Sequence, residues 1–219
     1  DTSSTDPISR AKRNRDAEEE PVIVIEDSDD EKDATPTYLD CLSTGKWLNA
    51  TTIDHYFLLI QKACFQDGVR VVSASFYQQM DAANQDVAGK ALNKVDLDGA
   101  RVILIPIHEP KRHWSLIIIN LNDETILFYD PKHLVKDWDQ VIKRVTSTIQ
   151  DLSDKPVLHQ MGSRFALGFY GINVQGEANN VDCGVFISGF GRHIGSGMGS
   201  PEIRSEQQVE SMRIKMKDE

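Results

Sequence analysis

HWSLIIINLNDETILFYDP, residues 113–131, decides how the rest of the chain is read. Two β-rich apolar runs, 114–121 and 125–129, flank Asn122-Asp123, the residue types that make a tight turn, so the stretch reads as two antiparallel strands. Such pairing places the first residue of one strand beside the last of the other. His113 and Asp130 thereby become neighbours at one edge of a sheet, the relation that an imidazole and its orienting carboxylate require.

Working outward, ARVILIPIHE (100–109) supplies an adjacent strand, and FYGINVQ (169–175) reads as a further short one. TIDHYFLLIQKACF (52–65) has helical spacing, with Ile53, Phe57, Ile60 and Cys64 on one face. Val135, Trp138, Val141, Ile142, Val145 and Ile149 recur at helical intervals, CGVFISGFGRHI (183–194) reads as a buried helix, and a last helix is entered through Ser200 and Pro201. Strands grouped centrally with helices on both sides predict an α+β domain with a mostly antiparallel sheet.

Cys183 stands at the leading edge of its helix, straight after the polar turn NNVD. There the thiol faces first-turn N–H groups, and the positive end of the helix dipole favours thiolate. Singly these signals are ordinary, because a free cysteine is usually a small buried hydrophobe and YDP is a common turn. Their conjunction is what points to a cysteine nucleophile with a histidine base and an aspartate behind it.

Composition fits that reading. The chain has 219 residues, 40% of them hydrophobic, which suits one domain of moderate size with an appendage. The cysteines Cys41, Cys64 and Cys183 are odd in number and show no metal-binding spacing, so neither a disulfide framework nor a metal site is expected. The formal charge of −10 argues against nucleic acid as a partner, and no apolar run has membrane-spanning length. The acidity is concentrated: residues 1–35 hold 12 acidic and 5 basic residues. Residues 1–36 are expected to be a disordered acidic tail and 37–219 the folded domain.

KWLNATTIDHYFLLI, VILIPIHEPKRHWSLIIINL, ILFYDP and NNVDCGVFISGF resemble successive blocks of the SUMO-specific (Ulp/sentrin-type) cysteine proteases. The order His, Asp, Cys and the separations of 17 and 53 residues match as well. The resemblance implies a papain-like cysteine protease fold, no cofactor, and cleavage after the C-terminal Gly-Gly of SUMO, in deconjugation and in precursor processing. It implies Cys183 as nucleophile, His113 as base and then acid, and Asp130 as the group holding the imidazole. The family's oxyanion glutamine has no counterpart at the usual place, where Glu177 stands, and Gln175 is the expected substitute. Trp47 and Trp114 are expected to roof a channel for the two glycines, Trp114 more so. Ala50 departs from the family's WLND, which leaves NEDD8- or ubiquitin-directed activity on the same fold as one alternative. A catalytically weak SUMO-binding module is another.

In the tail, VIVIEDSDDE (22–31) resembles a SUMO-interacting motif. Val22, Ile23, Val24 and Ile25 favour extended backbone and could add as a strand to a partner's sheet edge, while the acidic run behind them faces a basic surface. SUMO and its conjugates are the expected partners, the chain a monomer, and the nucleus the expected compartment, with the cytoplasm as a second. RAKRNR (10–15) is compatible with a nuclear signal.

Overall fold

The structure, a computed structural model, describes residues 39–80, 85–109, 113–153, 156–159, 161–170, 175–176, 178–197 and 206–219. The tail motif Val22–Ile25, the helix entry at Ser200 and Pro201, and Glu177 lie outside the described residues. The folded unit is Pro36–Glu219.

The predicted hairpin forms β3 (His113–Asn120) and β4 (Thr125–Tyr129), paired antiparallel with Leu116 opposite Tyr129 and Asn120 opposite Thr125. Asn120 Oδ1 accepts from the backbone N–H groups of Asn122 and Asp123, and Glu124 takes a positive φ to complete the turn. β2 (Val102–Glu109) lies antiparallel on the other side of β3, with Glu109 opposite His113.

Outside this antiparallel centre the outer pairs are parallel. β1 (Val69–Val71) adds to β2 and β5 (Ala166–Tyr170) adds to β4, giving the order β1-β2-β3-β4-β5. Parallel neighbours need long crossovers, and the helices supply them. α2 (Gln85–Asn93) lies between β1 and β2. α3 (Trp138–Leu152), α4 (Pro156–His159) and α5 (Met161–Arg164) lie between β4 and β5. β5 begins three residues before the strand predicted at 169–175, of which 171–174 lie outside the described residues.

Because helices cover both faces, the central strands are buried on both sides and read as unbroken apolar runs. Alternate residues serve two cores. Val102, Leu104, Trp114, Leu116 and Ile118 meet α1 (Ala50–Cys64), α6 (Cys183–Gly195) and α7 (Glu206–Asp218). Ile103, Ile105, Ile107, Ile117, Ile119, Ile126 and Phe128 meet α2 and α3. α1 starts at a side-chain cap, where Asn49 Oδ1 accepts from the Thr52 N–H at 2.8 Å.

α6 is the helix that carries Cys183, and it lies deep in the first core. Its Gly191 comes so close to α1 that a Cβ there would meet the Phe57 ring at 2.8 Å. Phe190 stacks on Tyr129 at 4.1 Å between ring centroids and leans on Tyr170 at 4.8 Å, which ties α6 to the ends of β4 and β5. Both ends where site residues were expected are therefore held by packing.

Candidate active site

His113 opens β3, Asp130 follows β4, and Cys183 opens α6, each at the position the sequence predicted. His113 Nε2 donates to Asp130 Oδ1 at 2.8 Å. The imidazole also hydrogen-bonds with the Cys183 side chain. The three groups thus form a continuous line, sulfur to ring to carboxylate.

Asp130 is fixed from several directions. Its Oδ1 also accepts from the Lys132 N–H at 2.9 Å, and its Oδ2 accepts from the Val135 N–H at 2.9 Å. Burial works against the ionised carboxyl, but these bonds and the neighbouring imidazole outweigh it and hold Asp130 below the usual carboxylate range. Burial likewise pulls the His113 imidazole down. Hydrogen bonds to Asp130 and Cys183, with the negative charge they can carry, more than offset it and push His113 up to about 9. At neutral pH the ring is an imidazolium with a proton ready to give.

The loop before Cys183 is built around Asn179. Its Oδ1 lies 3.2 Å from the backbone nitrogens of Val181 and Asp182, which donate to it, and its Nδ2 donates to Asp182 Oδ2 at 2.7 Å. Lys132 Nζ donates to the Asn179 carbonyl at 2.9 Å and to Asn180 Oδ1, so the turn after Asp130 grips the loop before Cys183. Gln175 is buried in the same loop, its Nε2 donating to the Asn179 carbonyl at 2.8 Å and its own N–H to the Pro131 carbonyl.

The two tryptophans are placed differently from one another. Trp47 is half-buried and packs against the first core. Trp114, expected to roof a channel, is only 1% exposed: it stacks on His108 at 4.4 Å, and its Nε1 donates to the Leu48 carbonyl at 2.9 Å. What Trp114 offers to a channel is a fixed backing for the 47–48 segment. Trp114 lies in the first core, the layer that also holds Cys183. Cys183 is itself 1% exposed.

Sequence reasoning missed Asn179, Lys132, His108 and Arg213 as members of this assembly. The polar pair Asn179-Asn180 before Asp182 was a readable turn signal. Arg213 lies on α7, and nothing local marks it. Among the described residues no cluster of His, Cys, Asp and Glu has the makings of a metal site, and no helix is long and apolar enough to cross a membrane.

Solved structures share this fold. The C-terminal Ulp1 protease domain in complex with Smt3, the yeast ortholog of SUMO, matches with TM-score 0.66 and 19% identity over 82% of this chain and 79% of that one. The Chaetomium thermophilum Ulp1-like SUMO protease catalytic domain matches with TM-score 0.61 and 18% identity over 81% of this chain and 73% of that one. Among curated relatives, human sentrin-specific protease 5 is 31% identical over 150 residues, which is 68% of this chain and 19% of the relative. Human sentrin-specific protease 3 is 25% identical over 185 residues, 80% of this chain and 29% of the relative. The chain thus spans under a third of the length of these relatives. Residues 46–219 match the Ulp1 protease family C-terminal catalytic domain, a span that takes in every residue of the Cys183–His113–Asp130 line, and the chain belongs to that family.

Proposed function

We propose that this chain is a SUMO-directed cysteine peptidase that cuts after the C-terminal Gly-Gly of the modifier, in isopeptide-linked conjugates and in precursors. The observation that carries the reading is the unbroken contact from Cys183 through His113 to Asp130. The Cys183 thiolate attacks the terminal glycine carbonyl. The tetrahedral oxyanion collapses as His113 gives its proton to the departing lysine amine, leaving a thioester on sulfur. A water then attacks the thioester with His113 as base, releasing the modifier's carboxylate and restoring the thiol.

Backbone N–H groups at the start of α6 face the developing oxyanion, and Gln175 serves as the side-chain donor once its Nε2 exchanges Asn179 for substrate. The nearly complete burial of the sulfur supports glycine at the cleavage point, because a substrate segment bearing side chains is too thick to reach it. Trp47 flanks the glycines, and Trp114 supports that wall through Leu48. In the tail, Val22, Ile23, Val24 and Ile25 bind SUMO non-covalently as an added strand, concentrating SUMO-rich substrates near the site. The working compartment is the nucleus.

Probes bearing an electrophile at the C-terminus of SUMO, NEDD8 or ubiquitin test the reading directly. SUMO should label Cys183, and Cys183→Ser should abolish the label. Labelling by NEDD8 or ubiquitin alone would overturn the choice of modifier, and no labelling by any of the three would leave a binding module.

A further inference from the structure

Arg213 is 1% exposed and carries five donor bonds, as many as a guanidinium has N–H groups. Nε donates to Asp182 Oδ1 at 3.1 Å, and one Nη2 hydrogen also goes to that oxygen. Nη1 donates to the carbonyls of Cys41 at 3.0 Å and Ser43 at 3.1 Å, and Nη2 to that of Lys46 at 2.6 Å. A single side chain on α7 therefore grips both segments that border the site. One is the residue immediately before Cys183. The other is the backbone running into Trp47 and Leu48, whose carbonyl receives the Trp114 indole.

The effect on Asp182 is specific. Asp182 is the N-cap residue of α6, where an aspartate normally accepts from first-turn N–H groups, yet it makes no side-chain cap bond. Its carboxylate is turned away, Oδ1 to Arg213 and Oδ2 to Asn179. Released from Arg213, it could swing onto the helix end, bringing a negative charge against the sulfur and the N–H groups that should serve an oxyanion. A lysine in its place would keep the charge but not the planar fork that spans four partners.

We propose that Arg213 is a positioning residue for the reaction at Cys183: it holds the Asp182 carboxylate off the start of α6 and locks the 41–48 segment beside it. The inference rests on Cys183 being the nucleophile, and the test separates the two. Iodoacetamide alkylation of each cysteine, followed by peptide mass spectrometry, reads thiol reactivity without any modifier. In the wild type Cys183 should react faster than Cys41 and Cys64; equal rates would overturn the nucleophile assignment itself.

Arg213→Lys, assayed well below its unfolding midpoint on a SUMO-fluorophore substrate, should lose about tenfold to a hundredfold in kcat with KM nearly unchanged. Alkylation of Cys183 should slow alongside. The alkaline limb of kcat should move up in pH, because a freed Asp182 carboxylate beside the Cys183–His113 pair helps the imidazolium keep its proton. Should Arg213→Lys not fold, Asp182→Glu, which keeps the carboxylate but mismatches the Arg213 fork, should move the same readouts in the same direction. A folded variant with wild-type kcat, alkylation rate and pH limb would reduce Arg213 to a structural residue and end the proposal.

Discussion

Each member of the Cys183–His113–Asp130 line has a distinct expected failure. Cys183→Ala and His113→Ala should each lower kcat on the order of a millionfold, and Asp130→Ala about ten-thousandfold, in a turnover assay on a SUMO-fluorophore substrate. The milder loss for Asp130 follows from its role, since it orients the ring without exchanging a proton with substrate. The charge state of His113 adds a pH prediction. Its value is raised, to about 9, so the imidazolium is complete at neutral pH and disappears as pH climbs through that value. The kcat/KM profile should therefore stay level above neutrality and fall around pH 9. A profile that instead fell away near 6.5, the ordinary histidine value, would mean that the pairing with Asp130 and Cys183 is absent in solution. The three residues were legible beforehand because each sits at an element boundary that local patterning marks. Arg213 was not, being joined to Asp182 across 31 residues by a fold-level contact that leaves no periodic or turn signature.

The hairpin and α3 were readable for similar reasons: a turn with its own hydrogen bonds, and a helix whose buried Val141, Ile142, Val145 and Ile149 keep strict spacing. β1 left only a three-residue strand, and the parallel outer pairs depend on crossovers that alternation cannot reveal. Trp114 shows the limit well. Its place after His113 suggested a channel wall, and it lies in the first core with its indole on the Leu48 carbonyl, a contact 66 residues away in sequence that no local pattern marks. Helix α6 is where packing and chemistry meet most tightly. Gly191→Ala would drive a methyl against a Phe57 ring that is fully buried and cannot move aside. That overpacking should cost about 1–3 kcal/mol in chemical denaturation. Because it lies two turns along the helix from Cys183, activity of the folded fraction should be largely kept.

At the scale of the molecule, the acidic tail and the balanced domain invite separate tests. Replacing Val22, Ile23 and Ile25 together by Ala should leave hydrolysis of a single-SUMO substrate unchanged and slow the disassembly of SUMO chains by about tenfold or more, the loss of a second tethering contact. Equal rates on chains would make the tail motif incidental.

The far end of the chain carries a different consequence. α7 contributes Val209, Met212 and Met216 to the core around Cys183, and its Arg213 holds the residue next to the nucleophile. Arg213 stands 30 residues beyond the cysteine in sequence, so only the docking of α7 brings it there. Should α7 fray from the core, the thiol, imidazole and carboxylate would all remain while the clasp on Asp182 was lost. On the role proposed for Arg213, fraying of that one helix would act as a throttle, read as a fall in kcat at denaturant concentrations below the global unfolding midpoint.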